Sequence, residues 1–224
     1  MKKSEVASLI DHTTLGPDST EEDVEKVCDE AKKYGFASVC VEPIYVGKAK
    51  ALLEGSEVKI DTVIGFPHGT HKRGAKGFEA QLAIEDGADE LDMVVNIPAL
   101  LKGDYEEVAR DITAVTEPAE ASPGEVIVKV ILEMGLLDEE KKRAGCIISQ
   151  ASGAEFVKTS TGFGPTGATV DDVRLMSSVV SDEIGVKAAG GIGDYETAME
   201  MVEAGATRIG ASSGVEIVQG APED

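Results

Sequence analysis

The sequence is poor in the residues and patterns that mark several large classes of protein. Its 224 residues include no tryptophan and only 4% aromatic residues, so small residues, valine, isoleucine and leucine must fill the core. No run of 18 or more apolar residues is present, so we predict no membrane-spanning helix. The first residues, MKKSEVASLIDH, contain only a short apolar run and predict no secretory signal peptide.

Cysteine and histidine are also scarce. The three cysteines, Cys28, Cys40 and Cys146, are odd in number and form no CxxC pair, which is typical of a reducing cytoplasm without structural disulfides. His68 and His71 are close in sequence, but no third ligand stands at the spacing of a zinc site. We therefore predict a cytoplasmic protein without a metal or any other cofactor.

The chain has too few basic residues to balance its acidic ones. Its 42 acidic residues against 21 basic residues give a net charge of −21. Such a surface repels nucleic acid and anionic membranes, so we expect neither as a partner. Acidic residues spread over the whole chain favour solubility in high salt, and an ordinary acidic protein is the alternative.

Apolar, strand-like runs alternate with stretches of helical periodicity along the whole chain. The predicted strands are Ser8–His12, Ser38–Val41, Lys59–Ile64, Glu90–Val95, Val126–Leu132, Glu155–Thr159, Val186–Ala189 and Arg208–Ala211. Four of them follow a Gly-small-residue pattern that suits the left-handed end of a helix, at Gly35, Gly87, Gly153 and Gly205. Eight strand–helix units predict one (β/α)8 TIM-barrel domain over residues 1–224, with a doubly wound open sheet as the alternative.

Four consecutive predicted strands each carry a charged residue inside an apolar run. These residues are Asp92, Lys129, Lys158 and Lys187. Because every second side chain of a strand points into a barrel, the four could converge near the carboxyl ends of adjacent strands. A buried ion cluster with a purely structural role is the alternative interpretation.

The charges of this predicted group do not balance. One aspartate cannot neutralise three lysines, although Asp11 and Glu133 could help. We therefore expect excess positive charge, which an anionic ligand or the loss of a lysine proton would relieve. A neutral lysine is a nucleophile towards carbonyl groups. Burial and a cationic neighbour both lower a lysine pKa, so Lys158 beside Lys187 is a candidate for a Schiff base.

Glycines and serines follow the last two predicted strands. Gly190 and Gly191 follow the seventh strand, and Ser212 and Ser213 follow the eighth, ahead of the short helix-like run VEIVQ. In a TIM barrel these loops often bind phosphate, and the serines could cap the helix and donate to phosphate oxygens. Two ordinary loops are the alternative.

A glycine pattern follows the sixth predicted strand. Gly162, Gly164 and Gly167 have the spacing GxGxxG of a dinucleotide-binding turn. Pro165 interrupts that turn, and the next strand does not end in the acidic residue that such a site needs. We favour a flexible loop that reaches the same phosphate.

Eight segments in the same order resemble the 2-deoxyribose-5-phosphate aldolase family. They are IDHT (10–13), SVCV (38–41), VIGFP (63–67), ELDMVVN (90–96), VKVILE (128–133), FVKTSTG (156–162), VKAAGGI (186–192) and GASS (210–213). The resemblance implies a class I aldolase on a TIM barrel. It would cleave 2-deoxy-D-ribose 5-phosphate to D-glyceraldehyde 3-phosphate and acetaldehyde without a metal, as a dimer or tetramer.

The resemblance also implies roles for individual residues. Lys158 would form the Schiff base, Lys187 would lower its pKa and relay protons, and Asp92 would move protons through water. The implied substrate-binding residues are Thr13, Cys40, Lys129, Thr161, Gly162, Gly190, Gly191, Ser212 and Ser213. Some family members end in a tyrosine that assists proton transfer. No tyrosine follows Tyr195 here, so we expect water or another group in that role.

One further difference from the family and two other functions stay open. The segment 68–76 is unusual for the family, which leaves specificity near the third strand open. Another Schiff-base aldolase or a transaldolase-like enzyme would act on a different sugar phosphate. A barrel that binds a phosphorylated ligand without catalysis would retain the ligand unchanged.

The net charge of −21 predicts that molar salt maintains or raises the melting temperature and that low salt lowers it. Salt at ~1 M screens the self-repulsion of the acidic surface over a few ångströms. Thermal unfolding followed across a salt series checks this expectation. A melting temperature that does not depend on salt would contradict it.

Overall fold

The computed structural model describes residues 1–223 and contains eight parallel strands that close into a barrel in chain order. The strands are β1 (Ile10–Thr14), β2 (Ser38–Val41), β3 (Lys59–Ile64), β4 (Glu90–Val94), β5 (Ile127–Ile131), β6 (Phe156–Lys158), β7 (Gly185–Ala189) and β8 (Arg208–Ala211). Strand β1 pairs with both β2 and β8. The predicted TIM barrel is confirmed, and the open-sheet alternative is wrong.

Ten α-helices in residues 1–223 surround the barrel or cover its ends. They are α1 (Lys3–Ala7), α2 (Glu21–Tyr34), α3 (Val46–Leu52), α4 (Arg73–Asp86), α5 (Ile97–Lys102), α6 (Tyr105–Glu120), α7 (Glu139–Ala151), α8 (Val170–Val179), α9 (Tyr195–Glu203) and α10 (Gly214–Gly220). Two short 3₁₀ helices span Pro43–Tyr45 and Met134–Leu136. None of these described helices is both long and apolar enough to cross a membrane.

Local sequence signals mark where the long helices begin and end. The side chains of Thr20, Asp104 and Asp138 accept hydrogen bonds from backbone N–H groups in the first turns of α2, α6 and α7. The four glycines predicted to end helices all have positive φ, as the left-handed conformation requires. These signals set the lengths of the strand–helix units and hence the register of the strands.

The first strand lies two residues further along the chain than its predicted span of residues 8–12. Val6 and Ala7 are buried by α1 rather than by a strand, and α1 packs against α10. The apolar run at the start is therefore shared between a short helix and β1. The other seven strands agree with the prediction to within one residue at either end.

Alternation along the strands separates an apolar core from a polar barrel interior. Leu91, Met93 and Val128 belong to the apolar core between the strands and the helices. Asp92 and Lys129 are one residue out of phase with them, and the two are paired in the register of β4 and β5. The period of two thus directs charged side chains inwards and apolar side chains towards the helices.

A buried ion pair outside the barrel fixes the carboxyl end of β4. Lys76 Nζ donates to the backbone oxygen of Val94 at 2.8 Å and to Asp111 Oδ2 at 2.7 Å. The same Oδ2 accepts from the backbone N–H of Asn96 at 2.8 Å. Lys76 lies near the start of α4. Its contacts hold the end of the strand that carries Asp92.

Candidate active site

The four charged residues singled out from the sequence converge inside the barrel. Asp92 Oδ1 accepts a hydrogen bond from Lys129 Nζ at 2.9 Å. Asp92 Oδ2 accepts from Lys158 Nζ at 2.5 Å and from Lys187 Nζ at 2.6 Å. All four side chains are buried. One carboxylate is therefore the common partner of three amino groups from three different strands.

Further carboxylates complete the surroundings of two of these lysines. Lys187 forms ion pairs with Asp11 and, at 2.9 Å, with Asp61. Lys129 forms ion pairs with Glu90 at 2.6 Å and with Asp61 at 3.1 Å. Asp61 thus lies against two of the three lysines that contact Asp92.

An arginine from the last strand closes the network. Arg208 Nη1 lies 2.6 Å from Asp11 Oδ1 and 3.0 Å from Glu90 Oε2. We call the whole group the barrel charge cluster, and its members are Asp11, Asp61, Glu90, Asp92, Lys129, Lys158, Lys187 and Arg208. Four acidic and four basic side chains give it a formal charge of zero when all are ionised.

The expectation of excess positive charge inside the barrel is therefore wrong. That expectation omits the charges of Asp61, Glu90 and Arg208. Glu90 and Arg208 are the first residues of their strands, a position where a charged side chain often reaches solvent. Asp61 lies within the apolar run KIDTVI, so the signal that identified Asp92 could have found it as well.

Glu133, which the sequence offered as a partner for the lysines, has a different role. Its Oε2 accepts a hydrogen bond from Thr161 Oγ1 at 2.5 Å, and Thr161 Oγ1 accepts from the backbone N–H of Phe163 at 3.0 Å. Glu133 itself has a left-handed backbone with φ of 56°. It holds the loop after β6 rather than neutralising a lysine.

The cluster sets the ionisation of its central members. Burial opposes the ionisation of Asp92, but the three amino groups of Lys129, Lys158 and Lys187 hold its pKa well below the usual value. Burial likewise disfavours the ammonium form of Lys187, but the carboxylates, led by Asp11, raise its pKa well above the usual value. Lys187 therefore keeps its proton at neutral pH, as a cationic partner of Lys158 must.

A cavity of about 730 Å³ lies above the cluster, at the carboxyl ends of the strands. Of the cluster, only Lys158 lines it. The other predicted site residues that line it are Thr13, Thr161, Gly162, Gly190, Gly191, Ser212 and Ser213. The cluster thus reaches a space large enough for a small phosphorylated sugar through one amino group.

The other predicted site residues lie below the cavity. Asp92, Lys129 and Lys187 are fully buried. Cys40 is fully buried as well, and it packs in a small apolar group with Val63. Burial, and after it the charge of Asp61, raises the pKa of the Cys40 thiol well above its usual value. In this structure, neither Cys40 nor Lys129 lines the cavity, and their roles as substrate contacts stay predictions.

Two glycine loops form one wall of the cavity. Gly190 and Gly191 have φ angles of 91° and 78°, which residues other than glycine rarely adopt. The backbone N–H of Ala168 donates to the Gly190 oxygen at 3.0 Å, and a Cβ on Gly167 would lie 2.2 Å from that oxygen. The glycine pattern at residues 162–167 therefore packs on the Gly190 loop. This close approach accounts for Gly167 without a dinucleotide.

The serine loop differs in detail from the expectation. Ser213 is the residue before α10, but its side chain makes no capping hydrogen bond. Its backbone, with φ of −100° and ψ of 34°, is not in the extended conformation that a capping side chain needs. Ser212 is exposed and lines the cavity, so its hydroxyl is accessible to a ligand.

Carboxylates also meet at spacings that a metal ion could use. Cys40, Asp61 and Asp92 form one such group among the described residues, and Asp11, Asp61 and Glu90 form another. Lysine and arginine side chains already pair with these carboxylates. A cation bound there would have to displace them, so the chemistry of the donor set does not suit a metal. That no metal is needed stays a prediction.

The fold and the site together define a class of protein. A closed parallel barrel with a cavity at the carboxyl ends of its strands is the arrangement of a TIM-barrel enzyme, and the one lysine of the cluster that lines the cavity is a candidate nucleophile. Residues 5–220 match the model of the DeoC/LacD family aldolases. The chain belongs to this family, which confirms the resemblance seen in the sequence.

Proteins similar to this chain over nearly their whole length include named aldolases. This chain is 55% identical to a deoxyribose-phosphate aldolase of Thermococcus kodakarensis over 226 residues, covering 100% of both chains. It is 53% identical to deoxyribose-phosphate aldolase 1 of Bacillus licheniformis, covering 98% of this chain and 97% of the relative. The solved structure of the tetrameric deoxyribose phosphate aldolase of Aeropyrum pernix superimposes on this chain with a TM-score of 0.90 at 38% identity. The match covers 97% of this chain and 91% of the relative.

Proposed function

We propose that this protein is a class I deoxyribose-phosphate aldolase. It reversibly cleaves 2-deoxy-D-ribose 5-phosphate to D-glyceraldehyde 3-phosphate and acetaldehyde, in the catabolism of deoxyribose phosphate. The observation that carries the proposal is the position of Lys158, which alone among the cluster lines the cavity and hydrogen-bonds to Asp92 at 2.5 Å. Family membership and the named relatives support the substrate.

The proposed reaction uses Lys158 as the nucleophile. Its neutral amine adds to the aldehyde carbon C1 of the open-chain sugar, and loss of water gives a protonated imine. The C2–C3 bond then breaks as the hydroxyl at C3 loses its proton, and the electron pair moves into the imine to form an enamine. A proton returns to C2, and water hydrolyses the imine to release acetaldehyde and the free amine.

The residues below Lys158 are placed to move the protons of this reaction. Asp92 Oδ2 contacts both Lys158 Nζ and Lys187 Nζ, at 2.5 Å and 2.6 Å. A proton can therefore pass between the two amino groups through one carboxylate oxygen. Lys187, whose pKa is raised by Asp11, Asp61 and Asp92 against the effect of burial, supplies the positive charge and the proton store. Water in the cavity completes the path to C2 and to the C3 oxygen.

The phosphate group is proposed to sit at the two loops after β7 and β8. The charged side chains that line the cavity are Lys158, Asp18 and Asp23, so no second basic side chain is available there to bind a dianion. Backbone N–H groups near Gly190, Gly191 and Ser213, together with the Ser212 hydroxyl, are the donors that these two loops offer.

The assembly and the compartment belong to the same proposal. The Aeropyrum pernix relative is described as a tetramer, and we propose that this chain is also a homo-oligomer, which sedimentation at several concentrations tests. The three cysteines are buried and unpaired, which fits a reducing cytoplasm. Localisation of a tagged full-length chain in its native cells tests that assignment.

We expect purified protein to release acetaldehyde and glyceraldehyde 3-phosphate from deoxyribose 5-phosphate, and to retain this activity in an excess of chelator. The protonated imine accepts the electron pair, so no metal is required. Product analysis distinguishes this reaction from another Schiff-base aldolase or from ligand binding without turnover. Activity that disappears in chelator and returns with zinc would contradict the class I assignment.

We expect Ser212→Asp to raise KM for deoxyribose 5-phosphate by about tenfold or more, because a carboxylate there repels the phosphate. KM for unphosphorylated deoxyribose should change far less. Ser212→Asn is the matched control, since it has nearly the same shape without the charge. Equal effects of Ser212→Asp on both substrates would place the phosphate elsewhere.

A further inference from the structure

Asp61 is a second buried carboxylate that contacts the lysines of the site. It lies on β3, and its Oδ2 accepts a hydrogen bond from Lys187 Nζ at 2.9 Å and lies 3.1 Å from Lys129 Nζ. Lys187 therefore lies between Asp61 and Asp92, within 2.9 Å of both. The side chain of Asp61 is fully buried and has no direct contact with solvent.

The other oxygen of Asp61 has no hydrogen-bond donor among the described residues. Oδ1 is buried and unpartnered, which is more costly for an ionised carboxylate than for a neutral carboxyl group. The ionisable groups that face Asp61 come from the strands all around it, and they are Cys40, Asp11, Glu90, Asp92, Lys129 and Lys187. Asp61 therefore faces two lysines and three other carboxylates.

The charge balance of the cluster limits where the proton of Lys158 can go. With every member ionised, the barrel charge cluster is neutral, but Lys158 is then an ammonium group and cannot attack a carbonyl. If the proton of Lys158 left for solvent, a buried cluster with a net negative charge would remain. If the proton moved to Asp61 instead, Lys158 would be a free amine and the cluster would stay neutral.

We propose that Asp61 is a positioning residue for the amine chemistry: it holds Lys187 against Asp92 and takes up the proton that Lys158 must lose. This inference rests on the proposed aldolase function and adds a residue to it. The raised pKa of Asp61 supports it. Burial, followed by the charge of Asp92, raises this pKa to about 6, against the opposing effect of Lys129 and Lys187.

The transfer follows contacts that are already in place. Lys158 passes a proton to Asp92 Oδ2 over 2.5 Å, and Lys187 passes one to Asp61 Oδ2 over 2.9 Å. Asp92 then passes the proton that it received from Lys158 to Lys187 over 2.6 Å. The net change is one proton from Lys158 to Asp61, with Lys187 again an ammonium group and Asp92 again a carboxylate. No bond to carbon changes and no other reactant is needed.

A proton shared between Asp61 and Lys158 makes the reactivity of the amine depend on pH in a characteristic way. Below the pKa of Asp61, both Asp61 and Lys158 hold a proton, and raising the pH by one unit increases the neutral-amine fraction about tenfold. Above that pKa, the two groups share one proton in a fixed ratio, so the fraction stops changing. The pH profile of amine reactivity should therefore bend near the pKa of Asp61 and then run level.

The test compares wild-type protein with Asp61→Asn, which keeps an oxygen for Lys187 but cannot take up a proton. The rate of adduct formation at Lys158 with acetaldehyde, measured by rapid quenching with borohydride, is followed from about pH 5 to about pH 9. For wild-type protein, we expect the pH profile of this rate to bend near pH 6 and the rate to change little above about pH 7. The rate for the variant should show no bend near pH 6 and should continue to rise with pH above about pH 7.

Glu90→Gln is the matched control, because it removes one negative charge from the cluster but contacts Lys129 and Arg208 rather than Lys187. The pH profile of adduct formation by Glu90→Gln should still bend. A bend at the same pH in wild type and Asp61→Asn would overturn the proposal. Wild-type protein that forms no adduct with acetaldehyde at any pH would instead refute the aldolase function, so the two failures are distinguishable.

A second measurement applies if Asp61→Asn does not fold. The side-chain carboxyl carbon of Asp61, observed by ¹³C NMR, should titrate near pH 6 in the wild-type protein. In Lys158→Met its midpoint should move to higher pH, because the lost ammonium group leaves a carboxylate uncompensated. A midpoint that is unchanged by Lys158→Met would show that the two groups do not share a proton, and would overturn the proposal.

Discussion

The structure depends on one carboxylate that three amino groups share. Asp92 accepts hydrogen bonds from Lys129, Lys158 and Lys187 over 2.5–2.9 Å, and each lysine comes from a different strand. Removing one partner of a buried ion pair usually costs about 3–5 kcal/mol, because the other charge stays buried and uncompensated. The hydrogen bonds that stabilise the barrel interior therefore also bring the amine of Lys158 and its cationic neighbour Lys187 to one oxygen atom of Asp92.

The other contacts of the site follow from that constraint. Lys187 pairs with Asp61, which lies 126 residues earlier in the chain, and Arg208 pairs with Asp11 across 197 residues. Such pairs form only when the barrel is closed, so the cluster links the order of the strands to the chemistry. The buried pair of Lys76 and Asp111 then holds the end of the strand that carries Asp92.

Much of this arrangement could be predicted from the sequence, because the barrel imposes a period of two on its strands. A charged residue within an apolar run stands out against that period, as Asp92, Lys158 and Lys187 do. The first strand was misplaced because a short apolar run suits a helix as well as a strand, and α1 takes Val6 and Ala7.

The charge balance could not be predicted in the same way. Whether Glu90 and Arg208 point inwards depends on the register between strands that are far apart in sequence, which local patterns do not contain. The capping role expected of Ser213 failed for a similar reason, since its backbone conformation is set by the loop after β8. Asp61 differs from these, because its position within KIDTVI carries the same signal as Asp92.

The central claim is that Lys158 is the amine that bonds to substrate, while Lys187 and Lys129 stay protonated beneath it. The carboxylates around Lys187 and Lys129 raise the pKa of both, against the effect of burial, and only Lys158 lines the cavity. Borohydride reduction in the presence of deoxyribose 5-phosphate or acetaldehyde, followed by peptide mass spectrometry, tests it directly. The account predicts a label on Lys158 and none on a Lys158→Ala variant. A label on the peptide that carries Lys187 or Lys129, with Lys158 unmodified, would contradict it.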